Sequence, residues 1–187
     1  VQRFLIGMFS LVVAVSAVKL MDHFVDAGER SHQAECIDTL RSVCFAERQA
    51  MASKQHFFTQ LGEMPTPIPR GNRFAYFLAP GAIEDRSTES SAPKPDANGV
   101  DADLVGWNVP QGMKQHVLPG DLPQSFAGGV PLGVSGNCPE CQLVAACAGN
   151  LDVDEELDIW SVSTSSRTTD AGEVPPCVPY HDHTDLH

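Results

Sequence analysis

Cysteine sulfur, a run of carboxylates and a histidine-rich tail are the groups in this chain whose types and spacing could do chemistry. The six cysteines are Cys36, Cys44, Cys138, Cys141, Cys147 and Cys177. Behind an N-terminal export or anchor signal, an even count reads first as disulfides formed in an oxidising compartment. Cys36 and Cys44 cannot pair with each other if they share a helix. Eight residues of helix separate them by about 12 Å, whereas a disulfide needs Cα atoms about 4.4–6.8 Å apart. Each must then reach the C-terminal half, where the other four cysteines lie. Cys138-Pro139-Glu140-Cys141 is a single C-x-x-C. A zinc ribbon requires a second pair at suitable spacing, and Cys147 with Cys177 is a poor one. A redox motif of the thioredoxin kind belongs at a helix start within a βαβ unit, and the surroundings here read as loop and strand. Structural disulfides are therefore the expectation for all six.

The run Asn150–Asp158 places oxygen ligands at alternate positions, with Asp152, Asp154 and Asp158 as candidate calcium ligands. Calcium takes several oxygens, and carboxylates on a tight loop supply them. The run is not an EF-hand, because the loop glycine and the distal glutamate are absent. The competing reading is an acidic turn between two strands, its aspartates bonding to backbone amides. Calcium is the one cofactor the pattern admits. His181, His183 and His187 with Asp182 and Asp185 resemble a metal-binding tail. Without a scaffold such an alternation binds weakly and reads as a solvated terminus. No G-x-S-x-G elbow, Walker loop or H-E-x-x-H is present, and His56 and His116 are isolated, so no catalytic residue is assigned and the chain is not read as an enzyme. The glycines at 128–129 and 133–136 lack the spacing of a phosphate cradle.

The elements that must hold these groups begin with the N-terminus. Phe4 to Val18 carries no charge and is bracketed by Arg3 and Lys19. Taken to Met21, the segment spans about 27 Å as a helix, enough to cross a hydrocarbon core if Lys19 snorkels. Arg3 then stays cytoplasmic and the bulk of the chain lies outside. Two other readings compete with a retained anchor. One is a secretory signal cleaved after Val15-Ser16-Ala17, and the other is a buried core helix. The helical pattern continues without proline over 22–59, with apolar Phe24, Val25, Ile37, Leu40, Val43, Met51, Phe57 and Phe58 against charged faces. It ends at Gly62 and Pro65-Thr66-Pro67-Ile68-Pro69.

Residues 60–187 read as a head domain. Arg70–Leu78 is a turn followed by a strand. Residues 79–137 form a loop-rich insertion, with Ser87–Asp103 mobile and a short strand at Leu104–Val109. Leu143–Ala148 is a buried strand, Gly149-Asn150 a turn, and Asp158–Ser163 alternates with the period of two of an amphipathic strand. The tail from Thr164 is polar. The predicted fold is α+β, one long N-terminal helix packed on an antiparallel sheet of three or four strands. The chain is acidic, with 24 Asp and Glu against 12 scattered Lys and Arg and a formal charge of −12. That excludes nucleic acid as a partner, since phosphate binding needs clustered cations.

This arrangement resembles the type IV pilin family, including the type II secretion pseudopilins, and most of all pilin-like proteins of the deltaproteobacterial kind. The resemblance rests on the helix through residue 58, on RGNRFAYFL at 70–78 and on CAGNLDVDEELDIWSVS at 147–163. With Val1 set as the first residue of a processed pilin, Phe24 and Leu40 fall where such pilins often carry Phe and Leu. Leu5 stands where they usually carry a glutamate, which in the family pairs with a neighbour's N-terminal amine. The helix-breaking proline common near position 22 is also missing. Pseudopilins that cap filaments can lack that glutamate too, so the resemblance admits a minor or tip-like role.

What the resemblance implies is a structural subunit, held in inner-membrane lipid with a periplasmic head. It would assemble with copies of itself or other pilin-like subunits into an extracellular pilus or a periplasmic pseudopilus. Its assembly residues would be Phe4, Leu5, Ile6 and Met8, followed by Phe9, Leu11 and Val12. Some pseudopilins bind calcium in a C-terminal loop, which favours the acidic run as a site. The alternative from another class is a secreted, disulfide-stabilised binding module with its signal removed.

Overall fold

A computed structural model describes residues 31–89, 91–106, 116–150 and 156–183. The anchor segment, the assembly residues Phe4 to Val12, Trp107, Asp152, Asp154, Asp185 and His187 lie outside the described residues. Contacts divide the chain into Val1–Ala34 and Glu35–His187. Within the first unit residues 31–34 are helical. The sheet and the two apolar cores belong to the second.

The helix α1 is described over 31–54. Its apolar positions recur every three or four residues, so Cys36, Leu40, Val43, Cys44 and Ala50 lie on one stripe, each no more than 3% exposed. The expectation that it continues to Phe58 is corrected. Gln55 still donates its N–H to Met51 O at 3.1 Å, but its φ of 62° turns the chain into the left-handed region and stops the helix. Phe57 and Phe58 are buried as predicted, but from a non-helical segment.

Nine strands come after it among the described residues: β1 Ala75–Phe77, β2 Ile83–Glu84, β3 Gly99–Val100, β4 Gly133–Ser135, β5 Gln142–Gly149, β6 Asp158–Ser163, β7 Arg167–Thr169, β8 Gly172–Val174 and β9 Tyr180–His183. Seven form one sheet in the order β2-β3-β1-β5-β6-β9, with β4 sharing an edge of β5 with β1. The β7–β8 hairpin stands apart. The α+β class holds. The sheet is larger than the three or four strands expected, and it is mostly antiparallel because β2 runs parallel to β3.

Other expectations are corrected as well. The stretch to Asp103 is not a mobile loop at its end: β3 pairs with both β1 and β2, and Val100, Asp101 and Asp103 are buried. Leu104–Gly106 is a turn, not a strand, and Gly149 ends β5 rather than forming a turn. The polar tail supplies β7, β8 and β9, the last pairing with β6.

β5 is buried on both faces, which is why its sequence reads as an unbroken apolar run. Leu143, Ala145 and Cys147 join α1, Phe57, Phe74, Tyr76 and Val162 in one core. Val144, Ala146 and Ala148 point the other way and pack with Phe77, Val117, Leu122, Phe126 and Ile159. This unit is thus three layers deep, helix on sheet on an irregular segment at 116–130. Gly149 lies so close to Phe74 that a Cβ there would stand 2.7 Å from the ring, which explains a glycine at the end of the central strand.

Candidate functional site

The described part of the helix is joined to the sheet by chemistry as well as by packing. Cys36 bonds to Cys147 on β5, with Cα atoms 6.2 Å apart. Cys44, two turns later on the same stripe, bonds to Cys177 after β8, with Cα atoms 5.4 Å apart. Cys138 and Cys141 pair with each other. All six cysteines are used, and Cys36 and Cys44 do reach the C-terminal half, as their spacing requires. The seam bonds close rings of 111 and 133 residues, and restricting an unfolded chain that much amounts to about 5 kcal/mol each, against about 2 kcal/mol for the short 138–141 ring.

Carboxylates complete the seam. Glu35 Oε1 accepts the backbone N–H of Arg73 at 3.0 Å and the Tyr76 hydroxyl at 3.4 Å. Glu47, fully buried, accepts the N–H of Phe58 at 2.8 Å through Oε2, while its Oε1 has no hydrogen-bond partner among the described residues. Burial pushes its pKa up to about 7, against the pull of the Phe58 amide, and Glu63 adds to the rise. Sequence reasoning passed over Glu47 as one charge among several on a polar face. The signal it had was position, since Glu47 falls on the helical stripe of Cys36, Leu40, Val43 and Cys44.

With one face fixed, α1 presents the other to solvent. Asp38, Arg41, Phe45 and Arg48 lie there, and Phe45 is 62% exposed, a large apolar side chain on an otherwise polar surface. Beside it runs a groove of about 350 Å³ between Ser42, Val43 and Ala46 on the helix and the segment Met64–Pro69. Arg86 holds that segment in place. Its guanidinium, nearly buried, donates to the carbonyls of Ile68 and Pro69 at 3.0 and 2.7 Å, to Asn72 Oδ1 at 2.6 Å, and to Glu84 at 2.8 Å.

Of the proposed calcium ligands, Asp158 is described. It is fully buried at the start of β6. Its Oδ2 accepts from Trp160 Nε1 at 2.8 Å, and its Oδ1 lies 2.6 Å from His181 Nε2. His181 also stacks on Trp160, centroids 4.1 Å apart. The tail histidine is therefore part of the sheet edge rather than a solvated terminus. On the same strand Asp182 is half-buried, and it accepts the Ala127 N–H at 2.7 Å. Burial raises its pKa, opposed by Ser161, Ala127 and the Arg167 charge. Arg167, itself buried, donates to Ser161 Oγ at 2.6 Å.

Asp85, Asp101 and His116 bring one ligand atom each within 4.8 Å of one another. Asp101 already accepts the Ala102 and Val117 N–H groups and pairs with His116 at 2.6 Å. This cluster fastens the start of the irregular layer to β3. His116 looked isolated in sequence because its partner lies fifteen residues away along the chain.

A family model described as Type IV pilin PilA matches residues 27–158. The chain belongs to that family. The Type IV major pilin protein PilA of Myxococcus xanthus (strain DK1622) is 25% identical to it over 191 residues, covering 94% of this chain and 86% of that protein. Membership makes the chain a pilin-like structural subunit, as the helix-and-sheet pattern implied. The matched span of this pilin runs from just before the described helix to the first residue of β6. It therefore contains the Cys36–Cys147 bond entirely, while Cys177, β7, β8 and β9 lie beyond it. No helix among the described residues is long and apolar enough to cross a membrane.

Proposed function

We propose that this pilin assembles through its N-terminal helix into a type IV pilus or pseudopilus-like filament, and that it has no catalytic role. Before assembly, residues 1–21 hold it in the inner membrane with the head in the periplasm. On assembly Phe4, Leu5, Ile6, Met8, Phe9, Leu11 and Val12 exchange lipid for neighbouring subunits. The observation that carries this reading is the family match across helix and sheet. The seam supports it physically, because a helix bonded both to β5 and to the turn between β8 and β9 can carry the head as a rigid load. Phe45 and the groove beside Met64–Pro69 extend the apolar surface available to neighbours.

Val12→Asp places a charge in the apolar segment and should abolish both membrane insertion and filaments in negatively stained preparations. Normal filaments from that variant would sink the reading. A mature terminus at Val18 would instead favour the secreted binding module.

Calcium at the acidic run before β6 is a separable proposal resting on Asp152 and Asp154. Asp158 could join only by sharing a carboxylate that Trp160 and His181 already hold. A rise in melting temperature with calcium, lost in Asp154→Ala, is the expected result, and no shift removes the idea.

A further inference from the structure

We propose that Cys138–Cys141 is a thiol–disulfide exchange site that takes an external dithiol, opening and closing while the two seam disulfides stay shut. The proposal rests on the folded head and not on filament assembly.

Access separates the three bonds. Cys36, Cys44 and Cys147 are fully buried and Cys177 is 5% exposed, all within the helix-side core. Cys138, Pro139 and Glu140 are exposed in the loop between β4 and β5, while Cys141 behind them, 6% exposed, joins that same core. A thiolate must approach one sulfur directly to displace the other, and Cys138 stands at the exposed end of this bond.

Topology separates them again. The 138–141 loop is closed with or without its disulfide, because β4 and β5 pair at Gly133↔Val144, Val134↔Leu143 and Ser135↔Gln142 immediately before it. The bond spans a separation of three residues, against 111 and 133 for the others. Opening it frees little chain entropy and leaves the ladder intact, whereas opening a seam bond removes one of the two long-range cross-links that hold the helix to the rest of the head.

The steps balance. One thiolate of the dithiol attacks Cys138 Sγ, the S–S bond breaks, and its electron pair leaves on Cys141 Sγ, which takes a proton from water. The dithiol's second thiolate then attacks its own sulfur in the mixed disulfide and closes the reagent's disulfide. Cys138 leaves as a thiolate and is protonated. Two electrons and two protons pass from the dithiol to the pair, and an oxidised dithiol reverses the reaction.

The test uses the full chain, folded in mild detergent, with submillimolar dithiothreitol, quenched by N-ethylmaleimide and mapped by peptide mass. Cys138 and Cys141 should be alkylated at least ten-fold faster than the other four, with the near-ultraviolet circular dichroism unchanged. Comparable labelling of any seam cysteine, or no labelling at 138 and 141 until denaturant is added, overturns the proposal. The point of attack is tested with oxidised glutathione. Cys141→Ser, which leaves Cys138, should form the mixed disulfide at least ten-fold faster than Cys138→Ser, which leaves Cys141. Equal rates overturn that assignment.

Discussion

The two faces of the central strand β5 are covered in opposite ways. On one, α1 lays a periodic apolar stripe across the sheet and is bonded to β5 through Cys36 and to the turn between β8 and β9 through Cys44. On the other, an irregular segment contributes Val117, Leu122 and Phe126, with no disulfide among the described residues. It is anchored by polar contacts such as Asp101 to His116 and Asp182 to the Ala127 amide. A helix brings its own backbone hydrogen bonds to the core. An irregular layer must borrow partners for its amides from buried carboxylates. The first face therefore adds disulfides to its apolar contacts and to the carboxylates Glu35 and Glu47, whereas the second relies on apolar contacts and carboxylates alone.

The sharpest way to break the contrast is to replace Cys36, Cys44, Cys147 and Cys177 with serine. The loss should be on the order of 4–10 kcal/mol, enough to unfold a domain of ordinary stability. Denaturant titration reads this, and a folded variant with near-normal stability would mean that packing alone holds the helix. Phe126→Ala on the other face should cost about 3 kcal/mol, the low end for a buried aromatic, because an irregular layer can settle into the space. Hydrogen exchange should quicken over 117–130 and leave α1 unchanged. Exchange that quickens equally in the helix would show the two faces to be one cooperative unit.

Glu47 gives the helix face a pH dependence. Folded Glu47 holds its proton more tightly than the unfolded chain does, its pKa raised from 4.5 to about 7. Its contribution is therefore fully present below about pH 4.5 and is lost as pH rises through about 7. Between those limits the wild type should lose about 2–3 kcal/mol relative to Glu47→Gln. Parallel stability curves for the two proteins would refute the assignment. The smallest effect should come at the sheet edge. His181→Ala removes a ring stacked on Trp160 and a partner of Asp158, and should cost about 1 kcal/mol. A double-mutant cycle with Trp160→Phe should show coupling, and strict additivity would mean the stack contributes nothing.

Legibility in the sequence followed the same division. Leu143–Ala148 and Asp158–Ser163 were readable as strands from a continuous apolar run and from alternation, although the alternating strand is buried on both faces rather than one, its polar Asp158, Ser161 and Ser163 included. Cys36 and Cys44 were readable as partners for distant cysteines because helix geometry forbade the near pairing. The end of α1 was misplaced because Phe57 and Phe58 continue the apolar pattern, and no glycine marks the left-handed turn at Gln55. The strands β3 and β9 were missed for different reasons. β3 is two residues long within a stretch rich in Pro, Ser and Asp. β9 reads Tyr-His-Asp-His, whose His181 and Asp182 find partners in Trp160, Asp158 and Ala127 across the fold. Hydropathy along the chain cannot register a partner that only folding supplies. The assembly residues and two of the three acidic-loop aspartates lie outside the described residues, so geometry adds nothing to them.

The Cys36–Cys147 bond also decides how the head answers to tension. A pull on the N-terminal end of the helix meets that sulfur bridge first, and the force crosses directly into the middle of the sheet. The 111-residue separation it encloses is a closed ring that cannot be drawn out. Stretched between its ends, the oxidised chain takes the shortest path that the two bridges leave and is shorter than the reduced one by about 440–480 Å, the contour of the 133-residue separation that Cys44–Cys177 closes. Oxidation therefore sets not only how stable the head is but how far it can ever be extended.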